Sequence, residues 1–140
     1  MSHTVEQRRA SFALAFIDKQ LQLAQELKKE EIQKYKEKLN THIHKSPSLI
    51  LQCGLGQALA FLLADAEGKQ TPSKILYNTL QDWLCGVEDD IHPMRVYNQA
   101  ELIDALVNGS RSEYFRAQEE SLMLFNWLKK FADAKLYAQE

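Results

Sequence analysis

The sequence predicts an all-α fold, a single-domain bundle of about six helices with a buried central helix near residues 47–66. Apolar residues recur with helical spacing, and the Val/Ile/Thr alternation typical of strands is missing. The chain has only five glycines and three prolines, and most of them stand where a helix would start or stop. A length of 140 residues fits one domain, which we expect to cover residues 1–140.

The helix boundaries are predicted from capping residues. Ser46-Pro47 and Thr71-Pro72 each have the form of an N-cap followed by a first-turn proline. Asn98–Glu101 and Ser110–Glu113 each have the form of a capping box. We therefore expect helices at about 4–28, 30–40, 47–66, 72–85, 98–108 and 111–137, with continuation of the first helix into the second as an alternative.

The central helix contains two glycines that need an explanation. Gly54 and Gly56 follow a short apolar run, as in a dinucleotide-binding loop, but Leu59 occupies the third small-residue position. No carboxylate stands about twenty residues further on at the end of a strand. Leu49–Ala64 contains only two polar residues, as a buried helix does. We interpret the glycines as points of close contact with another helix, since each costs about 1 kcal/mol against Ala.

Charge and cysteine usage narrow the class of protein. The net charge is −2, with nine Lys/Arg against six Asp/Glu in residues 1–45 and an acidic remainder. Cys53 and Cys85 both lie in apolar segments, so we expect two buried thiols in a reducing compartment. The sequence shows no signal-peptide pattern and no apolar run of about 20 residues. These features predict a soluble, cytoplasmic protein.

The last helix has two different faces. Arg116 and Lys130 share the polar face, ~21 Å apart at 1.5 Å per residue, as two phosphate contacts would need. The alternative is an ordinary charged face in which Arg116 pairs with Glu120. The opposite side forms a packing seam with 3-4-3-4-3 spacing, made of Tyr114, Ala117, Ser121, Leu124, Leu128 and Phe131.

The first helix combines an apolar stripe with basic residues. Arg9 falls inside the stripe, where we expect its stem to lie on the core and its guanidinium to reach water. Arg8 and Lys19 flank the stripe on the same side and complete a basic edge. The stripe consists of Val5, Phe12, Phe16, Leu23 and Leu27.

The sequence offers little for catalysis. His42-x-His44 in a loop could contribute to a metal site, but two imidazoles need further ligands. Glu88–His92 gathers carboxylates and an imidazole, without an HExxH motif or a nucleophile elbow elsewhere. We expect no enzyme, no metal and no cofactor. A metal-dependent hydrolase using His42, His44, Asp89, Asp90 or His92 remains an alternative.

Two segments carry a family resemblance. K-S-P-S-L-I-L-Q-C-G-L-G-Q-A-L-A-F-L-L, followed by Y-F-R-A-Q-E-E-S-L-M-L-F-N-W-L-K-K-F-A-D-A-K-L, resembles the small all-helical subunit of the type III-B CRISPR effector, the Cmr complex. An N-terminal helix with an Arg-rich start at Arg8-Arg9-Ala10 precedes them. The resemblance covers nearly the full length and is weakest over residues 67–100. Cys53 departs from the Asn expected before the glycine.

The resemblance implies a non-catalytic role in RNA-guided antiviral defence. Subunits of this family stack head to tail into an inner filament beside the backbone subunits that carry the guide RNA, and they line the groove for target RNA. The implied partners are therefore the backbone and other Cmr subunits, further copies of the chain, and guide and target RNA, with no membrane. Arg9, Arg116, Lys129 and Lys130 match the family's basic positions, and Arg8, Lys19 and Arg111 are added from helix geometry. The alternative is a helical protein-only adaptor or regulator with no RNA contact.

Overall fold

The computed structural model describes residues 3–86, 95–98 and 100–136. Over these residues the chain is helical and contains no strand, which confirms the predicted all-α class. No helix in the described ranges is long and apolar enough to cross a membrane. The helices are α1 (Val5–Ala24), α2 (Lys29–Cys53), α3 (Leu55–Ala66), α4 (Pro72–Cys85), α5 (Leu102–Asn108) and α6 (Arg111–Lys135).

Local capping chemistry starts the helices α1, α4 and α6. Thr4 caps α1, and its hydroxyl accepts from the Gln7 amide while the Gln7 side chain accepts from the Thr4 amide. Thr71 and Pro72 start α4 as predicted. The predicted capping box at Ser110 is also confirmed, since Ser110 and Glu113 exchange hydrogen bonds of 3.1 and 2.9 Å.

The predicted boundaries of the central helix are wrong. Ser46 and Pro47 do not start a helix, because α2 continues through Pro47 to Cys53. Proline in a helix interior removes a hydrogen bond and costs about 3 kcal/mol. The packing of α2 against α3, α4 and α6 compensates for this cost, and buried Ser46 turns its hydroxyl back to the His42 carbonyl at 2.6 Å.

Gly54 divides the predicted central helix into α2 and α3. It ends the first helix and begins the second with φ of +89°, a conformation that glycine adopts without strain. A Cβ at this position would lie 2.8 Å from the Tyr114 hydroxyl oxygen of α6, so the predicted close helix contact is confirmed. The predicted burial of Cys53 is wrong, because this residue lies at the helix junction and is exposed.

Helix α5 begins at Leu102 and is capped by another helix. The predicted capping box at Asn98–Glu101 is wrong, since Glu101 makes no side-chain cap and instead accepts from the Tyr77 hydroxyl at 2.7 Å. That hydroxyl accepts from the Ile103 amide, and the Gln81 side chain accepts from the Leu102 amide. Side chains of α4 thus satisfy the first amides of α5, which local sequence cannot reveal.

One hydrophobic cluster joins all six helices. The seam predicted on α6 is confirmed, with Ala117, Ser121, Leu124 and Leu128 buried. The prediction that the central helix is buried on all sides is wrong for α3, because 38% of the Phe61 surface is exposed to solvent. The largest fully buried side chains include Trp83, Tyr77, Phe125, Ile17, Leu39 and Ile43.

Candidate nucleic-acid interface

Arg9 lies in the core between α1 and α6. The prediction that its guanidinium reaches water is therefore wrong. Its Nε and Nη2 donate to the two carboxylate oxygens of Glu120 at 2.6 and 2.8 Å, and its Nη1 donates to Glu6 at 2.6 Å. Only 7% of its surface is exposed. A charge can stay in a core when it is paired and hydrogen-bonded in this way.

Two tryptophans complete the arrangement around Arg9. The Trp83 indole N–H donates to Glu120 at 3.0 Å, and that of Trp127 donates to Glu6 at 2.8 Å. The hydrogen bonds that Arg9 donates to Glu120 raise the pKa of Arg9, and the hydrogen bond from Trp127 lowers the pKa of Glu6. Hydrogen bonds thus connect α6 to both α1 and α4. We call this set Arg9, Glu6, Glu120, Trp83 and Trp127 the polar cluster.

Arg116 is exposed on α6, and its predicted pair with Glu120 is wrong. Glu120 points into the polar cluster, and Arg116 makes no ion pair with any residue that the structure describes. It lines a depression of about 170 Å³ together with Arg9, Glu119 and Met123. Met123 is half-buried there, which gives the polar face a small apolar element.

The other cations of α6 extend the same helix. Lys130 is exposed, with its ammonium 5.7 Å from the Trp127 ring centroid. Lys129 is half-buried beside it. Arg111 is exposed at the start of the helix, 5.4 Å from the Phe115 ring centroid. Among the described residues none of these three has an ion-pair partner within 4 Å.

The predicted basic positions of α1 separate into different environments. Arg8 is half-buried, and its Nε has no hydrogen-bond partner among the described residues. Lys19 is exposed and lines a groove of about 430 Å³ between α1 and α4. Arg9 lies beside Arg116, but its donors are directed at carboxylates. The structure therefore places Arg116 and Lys130 near the start of α1, through Arg9 and Glu6, and leaves Lys19 on another groove.

The histidines of α2 contact different carboxylates. His42 Nε2 lies 3.2 Å from Asp65, and His44 Nε2 lies 2.8 Å from Asp133. Burial lowers the pKa of His42 and outweighs the opposing effect of Asp65. Within the described ranges no three His, Cys, Asp or Glu side chains form a metal-binding group. Asp89, Asp90 and His92 lie outside the described residues.

Comparison with known proteins gives the class of this chain. A sequence model of the family described as CRISPR-associated protein (Cas_Cmr5) matches residues 5–135. The match spans nearly the whole described chain, so the protein belongs to this family of CRISPR-associated proteins. It is the small, all-helical subunit of a Cmr complex.

A solved structure supports the same conclusion. The X-ray crystal structure of a CRISPR-associated Cmr5 family protein from Thermus thermophilus aligns with a TM-score of 0.63. The two chains are 25% identical, and the alignment covers 94% of this chain and 97% of the other. The bundle therefore has the fold of that Cmr5 family protein.

Proposed function

We propose that the chain is a non-catalytic subunit of a type III-B Cmr effector, which works in the cytoplasm and contacts target RNA through phosphate-binding cations of α6. The observation that carries the proposal is that Arg116 and Lys130, on one uninterrupted helix, have no ion-pair partner among the residues that the structure describes. Cations that hold no carboxylate remain available to displace counterions from a nucleic acid. Lys129 adds positive charge on another face of α6, about 140° around the helix from Arg116. Arg8, Lys19 and Arg111 are the weaker members of the set.

Arg9 has a different role in this proposal. Its three donor positions all face carboxylates of the polar cluster. Moving the guanidinium to a phosphate would leave Glu120 buried and uncompensated, which costs several kcal/mol. We therefore assign Arg9 to the support of α1 and not to the RNA contact.

The proposal includes head-to-tail stacking of copies beside the guide-RNA-bound backbone subunits. Support comes from three exposed apolar side chains, Leu51, Val107 and Phe115, with 73, 71 and 51% of their surface exposed. Leu106 and Tyr114, which directly precede Val107 and Phe115 in sequence, both lie close to Gly56. Gly56 itself follows Leu51 by five residues. Large exposed apolar side chains of this kind are typical of protein interfaces.

The RNA contact is tested in the assembled complex. We expect Arg116→Glu with Lys130→Glu to weaken capture of a labelled target RNA and to make its affinity less sensitive to salt. The matched control is Lys29→Glu with Lys69→Glu, since both lysines are exposed and lie on other elements. Unchanged capture by the α6 variant across the salt titration would contradict the proposed contact and favour a protein-only adaptor.

Stacking is tested by a second pair of variants. Leu51→Asp with Val107→Asp should lower the number of copies that enter each complex, because two buried carboxylates would oppose the contact. Native mass spectrometry measures the copy number. An unchanged number would assign the exposed apolar residues to a surface that no neighbouring copy covers.

A further inference from the structure

A second basic surface lies on α2, away from the cations of α6. Helix α2 and helix α3 border an open groove of about 630 Å³. Lys34, Lys38 and Lys45 line this groove, together with Phe61 of α3. Sequence spacing alone does not bring Phe61 of α3 next to the lysines of α2, so the groove becomes visible only in the fold.

The three lysines share one face of α2. Their spacing of four and seven residues returns to nearly the same angle on a helix. They extend over ~16 Å at 1.5 Å rise per residue. Local helix geometry thus places a row of ammonium groups along the groove.

None of these lysines forms an ion pair with a residue in the described parts of the chain. The two acidic residues of the groove already hold other partners. Glu37 accepts a hydrogen bond from the side-chain amide of Gln33 at 3.0 Å, and the Asp65 carboxylate lies 3.2 Å from His42 Nε2. Three ammonium groups face two carboxylates in this groove, so the charge of its described lining stays net positive.

An exposed aromatic ring stands among these charges. Phe61 keeps 38% of its surface exposed, and the Lys45 ammonium lies 4.7 Å from its ring centroid. A partly exposed phenyl ring costs free energy unless something covers it. Cations beside a ring of this kind are the combination that binds single-stranded nucleic acids, with phosphates on the lysines and a base on the ring.

We propose that the α2–α3 groove is a second binding site for single-stranded RNA, in which Lys34 and Lys38 contact phosphates and Phe61 stacks on a base. The site is separate from the α6 cations, so it adds to the proposed function and rests on it only for the identity of the RNA. Lys45 lies over one face of the ring, which leaves the other face for the base, and contributes a third positive charge. Since every base has an aromatic face, the site should bind without sequence preference.

The first experiment measures affinity for a fluorescein-labelled single-stranded target RNA over a range of salt concentrations, with the assembled Cmr complex. We expect Lys34→Gln with Lys38→Gln to reduce the slope of log affinity against log salt by about 1.4, or about 0.7 for each lost phosphate contact. Phe61→Leu should weaken binding roughly tenfold and leave the slope unchanged. The control, Lys29→Gln with Lys69→Gln, should retain the original slope.

The outcomes separate this site from the proposed function. A loss with the α6 variant alone would overturn the groove proposal and keep the α6 contact. A loss with the groove variants alone would support the groove and contradict the α6 contact. If neither variant binds RNA more weakly, both proposals are wrong.

A cross-linking experiment identifies what lies on Phe61. Replacement of Phe61 by photoreactive benzoylphenylalanine in the assembled complex should give a covalent product with the labelled RNA after irradiation. A product with a protein subunit alone would overturn the proposal, because it would assign the groove to a protein neighbour. The absence of any product would overturn it as well, since the ring would then face solvent.

Discussion

At the scale of single residues, the polar cluster is the feature with the largest expected energetic effect. Arg9 and Glu120 are 7 and 4% exposed, and their two direct hydrogen bonds join α1 to α6. Removing one member of a buried ion pair leaves the other charged and unpaired. The cluster therefore makes each of its members necessary to the others.

We expect Arg9→Met to destabilise the fold by about 3–5 kcal/mol, and Glu120→Gln by a similar amount. The double variant should lose clearly less than the sum, because neither charge is then left unpaired. Urea unfolding followed by circular dichroism gives the three values. Additive losses would show that the two residues do not act as a pair.

His42 should make stability dependent on pH. Burial lowers its pKa in the folded protein below the ordinary value of about 6.5, against the attraction of Asp65 and with the help of Lys38 and Lys45. The unfolded chain then binds more protons than the folded chain, so stability is complete above pH ~6.5 and falls as the pH drops below it.

Melting temperatures between pH 5 and pH 7.5 measure this effect. The melting temperature of the His42→Gln variant should decrease less than that of the original protein as the pH falls. The His3→Gln variant, changed at an exposed position, should follow the original curve. A His42→Gln curve parallel to the original would mean that another group causes the acid sensitivity.

At the scale of elements, the capping residues predict several helix ends, and tertiary contacts decide the others. Ser110 and Glu113 start α6 with local hydrogen bonds, so the sequence is sufficient there. Pro47 resembles a helix start, but α2 passes through it because the packing of a long helix outweighs one lost hydrogen bond. The start of α5 depends on Tyr77 and Gln81 of α4, which are distant in sequence.

The same distinction applies to the candidate site. The exposed position of Arg116 and Lys130 follows from helical spacing alone, and the structure confirms it. The position of Arg9 does not, because its partner Glu120 is 111 residues away. The sequence offered one indication of that pairing, since Arg9 and Glu120 are charged residues that lie within or next to predicted apolar faces.

The junction at Gly54 provides a test of backbone strain and steric contact together. Gly54→Ala should cost about 1–3 kcal/mol, since Ala at φ of +89° is strained and its Cβ would lie 2.8 Å from the Tyr114 hydroxyl. Gly68→Ala is the matched control, with φ of +75° and nothing within 4 Å of the added Cβ. Thermal unfolding should show the larger loss for Gly54→Ala. Equal losses would mean that the Tyr114 contact adds nothing to the strain.

At the scale of the whole molecule, the two cysteines report different events. Cys53 is exposed at the α2–α3 junction, whereas Cys85 is buried in the shared core, where burial raises its pKa to about 11. Only the thiolate reacts quickly with disulfide reagents. We expect the Cys53 thiol to react at pH 8 in the folded protein. The Cys85 thiol should react only after the bundle opens.

The Cys53→Ser variant isolates that second reaction. Its rate with Ellman's reagent should rise with urea in parallel with the loss of helical circular dichroism, because Cys85 becomes accessible only when the core opens. A rate that rises well before the helices unfold would reveal a local opening around α4. Rapid reaction in native buffer would contradict the burial of Cys85.

The polar cluster also has a consequence for exchanging parts between related proteins. A purely apolar contact between the first and last helices would tolerate sliding by a turn, but an enclosed guanidinium finds its carboxylates in only one alignment. A chimera that receives its first helix from a relative lacking the arginine would leave Glu120 buried without its ion-pair partner. Donor helices should therefore be chosen by the presence of this one cation before overall similarity is considered.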